Sequence, residues 1–474
     1  MPMPRWVLVG TLLLATAAGA AITRSLQRPL TLTLDEATLA EYAGAYQWEP
    51  NAFVYLQKWA ELSGKNQLVA YDESGEVRTL YPTATDRFFA GSGAAVPELI
   101  ESRIEFQRDA GGRVTALTWS REGAPVRTAR RVDTERREDL RFSNGDVQLA
   151  GTLVSPTTPG RHPAVILVHA SGAEDREYLL PFARFLIRRG MAVLGYDKRG
   201  VGGSTGDWTK ASFDDLASDV VAAFEYLKTR SDIRSDQIGM LGWSQAGWVM
   251  PLAASRAKDL AFLISLSGAG VSGTETTIDQ ARNEMAASGM PPRMVEEVLE
   301  MMRAQYDYLR TGQGWDRYVA LRSAVAAGMG GNPPEAFPAT PDHPYLALIR
   351  PLIVYDPAPT LRRIRLPVLA LFGELDNNIL AEKNRTAWET GLKAGGHTDY
   401  TLRILPGANH LMLEAKSGTN AEMKSLQRFV PAYFDAVLEW LSKHLAAFPS
   451  RDNALPSSGL VRLFPLSAPR PADR

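Results

Sequence analysis

The chain has 474 residues, 45% of them hydrophobic and 22% charged, with a formal net charge of -1. That length accommodates a large α/β domain and a smaller companion, and the even charge balance excludes the basic footprint of a nucleic-acid binder. The absence of cysteine excludes disulfides, thiol nucleophiles, Cys-ligated zinc and a lipid-modified N-terminal cysteine, and no motif calls for a cofactor or a metal ion.

At the N-terminus Arg5 precedes an apolar run from Trp6 to Ile22, with Ala18-Gly19-Ala20 forming a small-residue site. This predicts a signal peptide over 1–22 and export to the periplasm or the extracellular space. The run also approaches bilayer-spanning length, so an uncleaved anchor is the alternative and a buried helix a third. Arg24 and Arg28 follow it, and positive charge there favours keeping that side in the cytoplasm. Membrane contact is expected through this segment alone.

Residues 34–132 hold short strand-like runs at 53–59, 67–71, 76–81 and 103–108, and Asp109-Ala110-Gly111-Gly112 reads as a hairpin turn into the run from Val114 to Trp119. Their spacing predicts a small all-β accessory domain, barrel-like. The charge-dense stretch from Arg130 to Arg141 is expected to be a solvated linker at the domain boundary. A larger domain over 138–445 follows, opening on a hairpin around Asn144-Gly145.

Beyond the hairpin, strands at 164–168, 192–196, 238–241, 261–265, 367–372 and 400–405 alternate with helices at 178–189, 213–228 and 245–257. Such alternation predicts a mostly parallel central sheet covered on both faces. The strand signal lapses over 273–361, which is expected to be a helical lid insertion. Met285, Met290, Met294, Met301 and Met302 lie there; they are consistent with an adaptable acyl pocket, although such a stripe also describes plain core packing. The Pro- and Ser-rich tail over 447–474 is expected to be flexible.

Chemistry concentrates at Gly242-Trp243-Ser244-Gln245-Ala246-Gly247. Ser244 falls on the turn between an apolar strand and a helix, where small neighbours permit a sharp bend and the Gln245 N–H points at a substrate carbonyl oxygen. A serine hydroxyl needs a neutral imidazole and an orienting carboxylate. Of six histidines, His162 and His169 precede the serine, His343 lies in the insertion and His444 in a C-terminal amphipathic helix. His397 and His410 remain, and His397, before the last strand, reads as a surface turn residue. The glycine-rich stretch from Asp197 to Gly206 matches neither Walker A nor the dinucleotide fingerprint. Trp208, Trp243 and Trp248 near these loops either touch substrate or pack in the core.

Together, His169-Ala170-Ser171-Gly172, the run from Tyr196 to Ser204, Gly242-Trp243-Ser244-Gln245-Ala246, Gly373-Glu374-Leu375-Asp376 and Gly407-Ala408-Asn409-His410 resemble the α/β-hydrolase superfamily. Its bacterial serine hydrolases with prolyl-oligopeptidase-type or dienelactone-hydrolase-type domains are the most similar. The β-rich region, with its opening from Leu39 to Tyr46, resembles the lipocalin-like domains appended to some of them. Ala246 and Ala170 stand where the motifs usually have glycine. The resemblance implies an α/β-hydrolase fold and, from the order serine, acid, histidine, Asp376 as the acid and His410 as the base. Glu374 is the rival acid. It also implies a second oxyanion donor in the 169–172 loop, the Ser171 N–H ahead of the Ala170 N–H. The expected activity is hydrolysis of a small-molecule carboxylic ester through an acyl-Ser244 intermediate. The alternatives are a serine peptidase or an aminoacyl-amide or thioester hydrolase, and, in another class, a non-catalytic binding protein on a hydrolase fold.

Overall fold

A computed structural model describes residues 30–63, 67–98, 100–329, 331, 337–446 and 448. The expected leader or anchor over 1–22 lies outside the described residues, as does the tail over 447–474 apart from Phe448. Among the described residues no helix is long and apolar enough to cross a membrane.

Helix α1 (Glu36–Tyr42), capped by Asp35, which accepts from the Thr38 N–H at 2.7 Å, leads into eight strands. These are β1 (Gly44–Glu49), β2 (Ala52–Lys58), β3 (Leu68–Asp72), β4 (Val77–Ala84), β5 (Arg87–Ala90), β6 (Ser102–Arg108), β7 (Val114–Arg121) and β8 (Arg127–Val132), with the short helix α2 (Ala60–Ser63) after β2. Sequence neighbours pair antiparallel, and β8 returns to β1 to close the barrel. Closure leaves no unpaired edge. A core of Tyr42, Tyr46, Leu56, Phe88, Phe106 and Trp119 packs within it.

The second sheet begins with β9 (Glu135–Asn144) and β10 (Val147–Pro156), then β11 (His162–Val168), α3 (Leu180–Ile187), β12 (Ala192–Tyr196), α4 (Phe213–Lys228), β13 (Ile233–Trp243), α5 (Ala246–Arg256) and β14 (Leu263–Leu266). Helices α6 (Gly273–Ala287), α7 (Pro292–Thr311), α8 (Trp315–Gly328), α9 (Pro344–Val354) and α10 (Ala358–Leu361) precede β15 (Val368–Gly373), α11 (Ala381–Ala394), β16 (Tyr400–Leu405) and α12 (Pro431–His444). The strand order is β16-β15-β14-β13-β11-β12-β10-β9, with every pair parallel except β12–β10 and β10–β9. This is the α/β-hydrolase fold, a mixed and mostly parallel sheet.

Helices α4, α5 and α11 cover one face of the sheet, and α3 and α12 the other, in a core that also takes in Tyr55, Trp59, Tyr71 and Val77 of the barrel region. Trp59 stacks on Phe429 at 6.0 Å and meets Phe182 edge-on at 5.6 Å. Arg184, fully buried on α3, pairs with Glu135 at 2.6 Å and donates to Gln57 of β2. Barrel and sheet therefore share one core.

Two expectations are corrected. The charged stretch from Arg130 to Arg141 is no linker: it forms the end of β8 and most of β9, so only Asp133 and Thr134 separate them. Strand β9 is the sheet's edge and points Arg136, Arg137, Asp139 and Arg141 at solvent, which is how an edge strand carries charge and resists further pairing. His397 is not a surface residue either. It is buried, with Nε2 hydrogen-bonded to the Leu366 carbonyl at 2.8 Å. The helices between β14 and β15 build their own core, in which Met285, Met301 and Met302 are buried and Met290 and Met294 partly so. These methionines are core packing.

Candidate active site

The parallel strands β11, β13, β15 and β16 all end at one edge of the sheet, where this fold class builds its sites. At the end of β13 the chain turns into α5 within two residues, Ser244 and Gln245. Ser244 adopts φ +58°, a left-handed conformation that costs a non-glycine residue about 1–3 kcal/mol. Its backbone holds it there: the Ser244 N–H donates to the Leu266 carbonyl at 3.0 Å, and its own carbonyl accepts from Gly247 and Ala269 at 3.0 and 3.1 Å. Close packing explains the motif's alanine. A Cβ on Gly242 would fall 2.4 Å from that of Ala246, and one on Gly247 2.5 Å from the Ala269 nitrogen. The Ala246 methyl thus fits because Gly242 has none. Ser267 after β14 and Met412 after β16 are further non-glycine residues with positive φ, at +45° and +59°.

Strand β15 delivers Asp376 and strand β16 delivers His410, both buried. Their side chains meet, His410 Nδ1 lying 2.8 Å from Asp376 Oδ2. The other carboxylate oxygen accepts the N–H groups of Asn378 and Ile379, each at 2.8 Å. An acceptor at Nδ1 selects the tautomer with its proton there and leaves Nε2 as a base. The histidine is also fixed from the nucleophile side. Trp243 Nε1 donates to the His410 carbonyl at 2.7 Å, and the two rings lie 4.7 Å apart. Asp376 and His410 are therefore brought together, and Trp243, the residue before Ser244, packs on the histidine ring. Among the described residues the Ser244 hydroxyl has no hydrogen-bond partner.

The rival acid has another task. Glu374 Oε2 accepts the Gly407 N–H at 2.8 Å, bracing the loop that carries His410. The remaining histidines hold backbone: His162 contacts the Gly190 and Thr158 carbonyls, His343 caps α9, and His444 contacts the Trp440 carbonyl. His169 Nε2 lies 2.6 Å from the Tyr196 carbonyl, and burial with the nearby Lys198 charge lowers its pKa to about 3. It is a neutral structural side chain.

The 169–172 loop follows β11. Gly172 has φ +109°, a conformation that favours glycine. The Ala170 N–H is already engaged, donating to Glu174 Oε2 at 2.8 Å, whereas Ser171 is exposed. Among the described residues the N–H groups of Ser171 and Gln245 meet no protein acceptor. Gln245 is the N-cap of α5, at the positive end of that helix. Lys198, buried beneath the loop, donates to the Ala170 and Gly172 carbonyls. A buried lysine has no sequence signature, and neither Lys198 nor Glu174 was legible as a partner of this loop.

The glycine-rich stretch wraps a carboxylate. Asp197 accepts from the Gly203 N–H at 2.8 Å and pairs with Arg176, and a Cβ on Gly202 would fall 2.4 Å from its Oδ2. Trp248 is buried with Nε1 on the Val271 carbonyl, and Trp208 covers the Lys198 ammonium at 5.4 Å. A separate cavity of about 280 Å³, lined by Thr274, Ile278, Asp279, Arg303, Asp307 and Lys383 among others, holds none of the site residues.

A model of the alpha/beta hydrolase family matches residues 165–421. Esterase EstD of Thermotoga maritima is 25% identical over 367 residues, which cover 73% of this chain and 80% of that protein. The quorum-quenching protein AidA of Acinetobacter baumannii is 28% identical over 128 residues, 27% of this chain and 42% of the other. Among solved structures, an esterase of Pyrococcus furiosus aligns over 66% of this chain and 91% of its own, with 17% identity and a TM-score of 0.42.

Proposed function

Because this chain belongs to the alpha/beta hydrolase family, we propose that it is a carboxylesterase-type serine hydrolase that cleaves small-molecule esters through an acyl-Ser244 intermediate. The observation that carries the proposal is the buried His410–Asp376 pair at 2.8 Å beside a serine held on a strained strand-to-helix turn. Similarity to an esterase along most of both chains supports ester over other acyl substrates.

In this mechanism Nε2 of His410 takes the Ser244 proton as Oγ attacks the ester carbonyl carbon. The N–H groups of Gln245 and Ser171 receive the negative oxygen. Asp376 stabilises the imidazolium, which returns its proton to the departing alkoxide. Water, deprotonated by His410, then attacks the acyl-enzyme, and release of the carboxylic acid restores Ser244. The helices from α6 to α10 serve as the lid over this edge of the sheet.

The test is a panel of p-nitrophenyl esters, thioesters and aminoacyl amides of graded chain length, run on native protein and on Ser244→Ala, with fluorophosphonate labelling of both. Ester turnover and labelling are expected in the native protein alone. Equal labelling of both proteins overturns the covalent mechanism, and faster cleavage of amides than of esters reassigns the substrate class.

A further inference from the structure

Lys198 and Glu174 are charged side chains, each only 2% exposed, that the acylation chemistry leaves unused. They lie on either side of the 169–172 loop in bonding terms, one as donor and one as acceptor. Lys198 Nζ donates to the carbonyls of Ala170 at 2.8 Å and Gly172 at 3.0 Å, and Glu174 Oε2 accepts the Ala170 N–H at 2.8 Å. The Lys198 N–H also donates to the Glu174 carbonyl at 3.0 Å, and the Trp208 ring lies 5.4 Å from the ammonium. Burial pushes the Lys198 pKa down and the Glu174 charge pushes it back up.

Peptide geometry converts these contacts into an orientation. The Ala170 carbonyl and the Ser171 N–H belong to one planar trans peptide and point in opposite directions. Drawing the carbonyl down onto Lys198 therefore turns the Ser171 N–H away from the protein interior. Glu174 meanwhile occupies the neighbouring Ala170 N–H, the rival donor.

We propose that Lys198 and Glu174 are positioning residues that set the Ser171 N–H as the second oxyanion donor. The inference rests on the reading of Ser244 as the nucleophile and deepens it. Loss of a donor to the oxyanion costs about 10²–10³ in kcat when the donor itself is removed, and a donor merely released to wander costs less. Lys198→Met is therefore expected to lower kcat by roughly 10–100-fold with KM changed less than about threefold.

Two ligands separate positioning from general damage. A trifluoromethyl ketone analogue of the preferred ester forms a charged hemiketal oxygen on Ser244, whereas the matching secondary alcohol does not. Lys198→Met should weaken the ketone in proportion to kcat and leave the alcohol unchanged. Native kcat, or equal weakening of both ligands, overturns the proposal. Asp219→Asn, which disturbs a buried carboxylate bound to Arg199 instead, is the control and should spare the ratio of the two affinities.

Glu174→Ala cuts the other pin and carries the same expectation, so either variant that folds decides. In native protein with labelled serine and alanine amides, the ketone should move the Ser171 amide proton downfield and not that of Ala170; the reverse overturns the assignment with no variant needed. Ser244→Ala runs alongside. If it retains turnover the esterase mechanism fails, whereas native kcat in Lys198→Met with a dead Ser244→Ala sinks the positioning inference alone.

Discussion

Asp376→Asn changes one atom type and tests the site's internal logic. The two backbone N–H groups of Asn378 and Ile379 point at Oδ1, so an asparagine there must present its carbonyl oxygen to them. Its NH₂ group then faces His410 Nδ1, in the place of the Oδ2 that lies 2.8 Å away. A donor cannot receive a donor. His410 responds by moving its proton to Nε2, which leaves Nδ1 to accept and removes the base from Ser244. The same exchange in the chymotrypsin-type triad costs about 10⁴ in kcat, or ~5.4 kcal/mol of transition-state stabilisation at 1.36 kcal/mol per tenfold. The assay is initial-rate kinetics with the best p-nitrophenyl ester at neutral pH, with the folded fraction measured by circular dichroism. Glu374→Gln runs beside it. That side chain keeps an acceptor for the Gly407 N–H, so its kcat should stay within about fivefold of native, since it loses only one charge-assisted hydrogen bond. If Asp376→Asn stays within tenfold of native, or Glu374→Gln proves the slower enzyme, the tautomer argument is wrong.

Other perturbations address the scaffold. Gly242→Ala puts a methyl 2.4 Å from that of Ala246, and urea unfolding should show a loss of about 1–3 kcal/mol from overpacking; an unchanged midpoint would mean that the elbow yields freely. Trp59→Ala removes a ring packed on Phe182 and Phe429 and should cost about 3–5 kcal/mol. Because barrel and sheet share that core, tryptophan fluorescence and far-UV dichroism should report one coincident transition, and loss of the barrel alone would contradict it. Acid should destabilise the protein through His169. Its folded pKa lies at about 3, below its ordinary 6.5, so the unfolded chain binds the proton first. Stability is then full above pH 6.5 and falls as the pH drops from 6.5 towards 3. Unfolding of native protein and His169→Gln at pH 7, 5 and 4 reads this directly, the variant losing less; parallel losses would assign the acid sensitivity elsewhere.

Much of the framework was legible because it repeats locally. Strand β12 and helix α4 occupy 192–196 and 213–228, the spans that the apolar patterns suggest, since burial on two faces writes itself as periodicity. Ser244, Asp376 and His410 each follow their own strand, which makes them candidates in the sequence, and the structure joins the last two. What failed was of another kind. The Arg130 to Arg141 stretch reads as a linker in one dimension, and only its place at the sheet edge makes it strand. His397 looks like a turn residue until packing against Leu366 buries it.

The sequence by itself determined the alternation of strand and helix, the small residues that permit a nucleophilic turn, and the order of the candidate acid and base. These follow from short-range sterics and from burial of one face, which adjacent residues encode. Tertiary structure alone decided that Asp376 rather than Glu374 meets His410, that Trp243 holds the histidine's carbonyl, and that a buried lysine grips the loop of Ser171. Those contacts join segments tens to hundreds of residues apart. Their geometry arises when the strands align and carry their loops to one edge, so no local pattern records it.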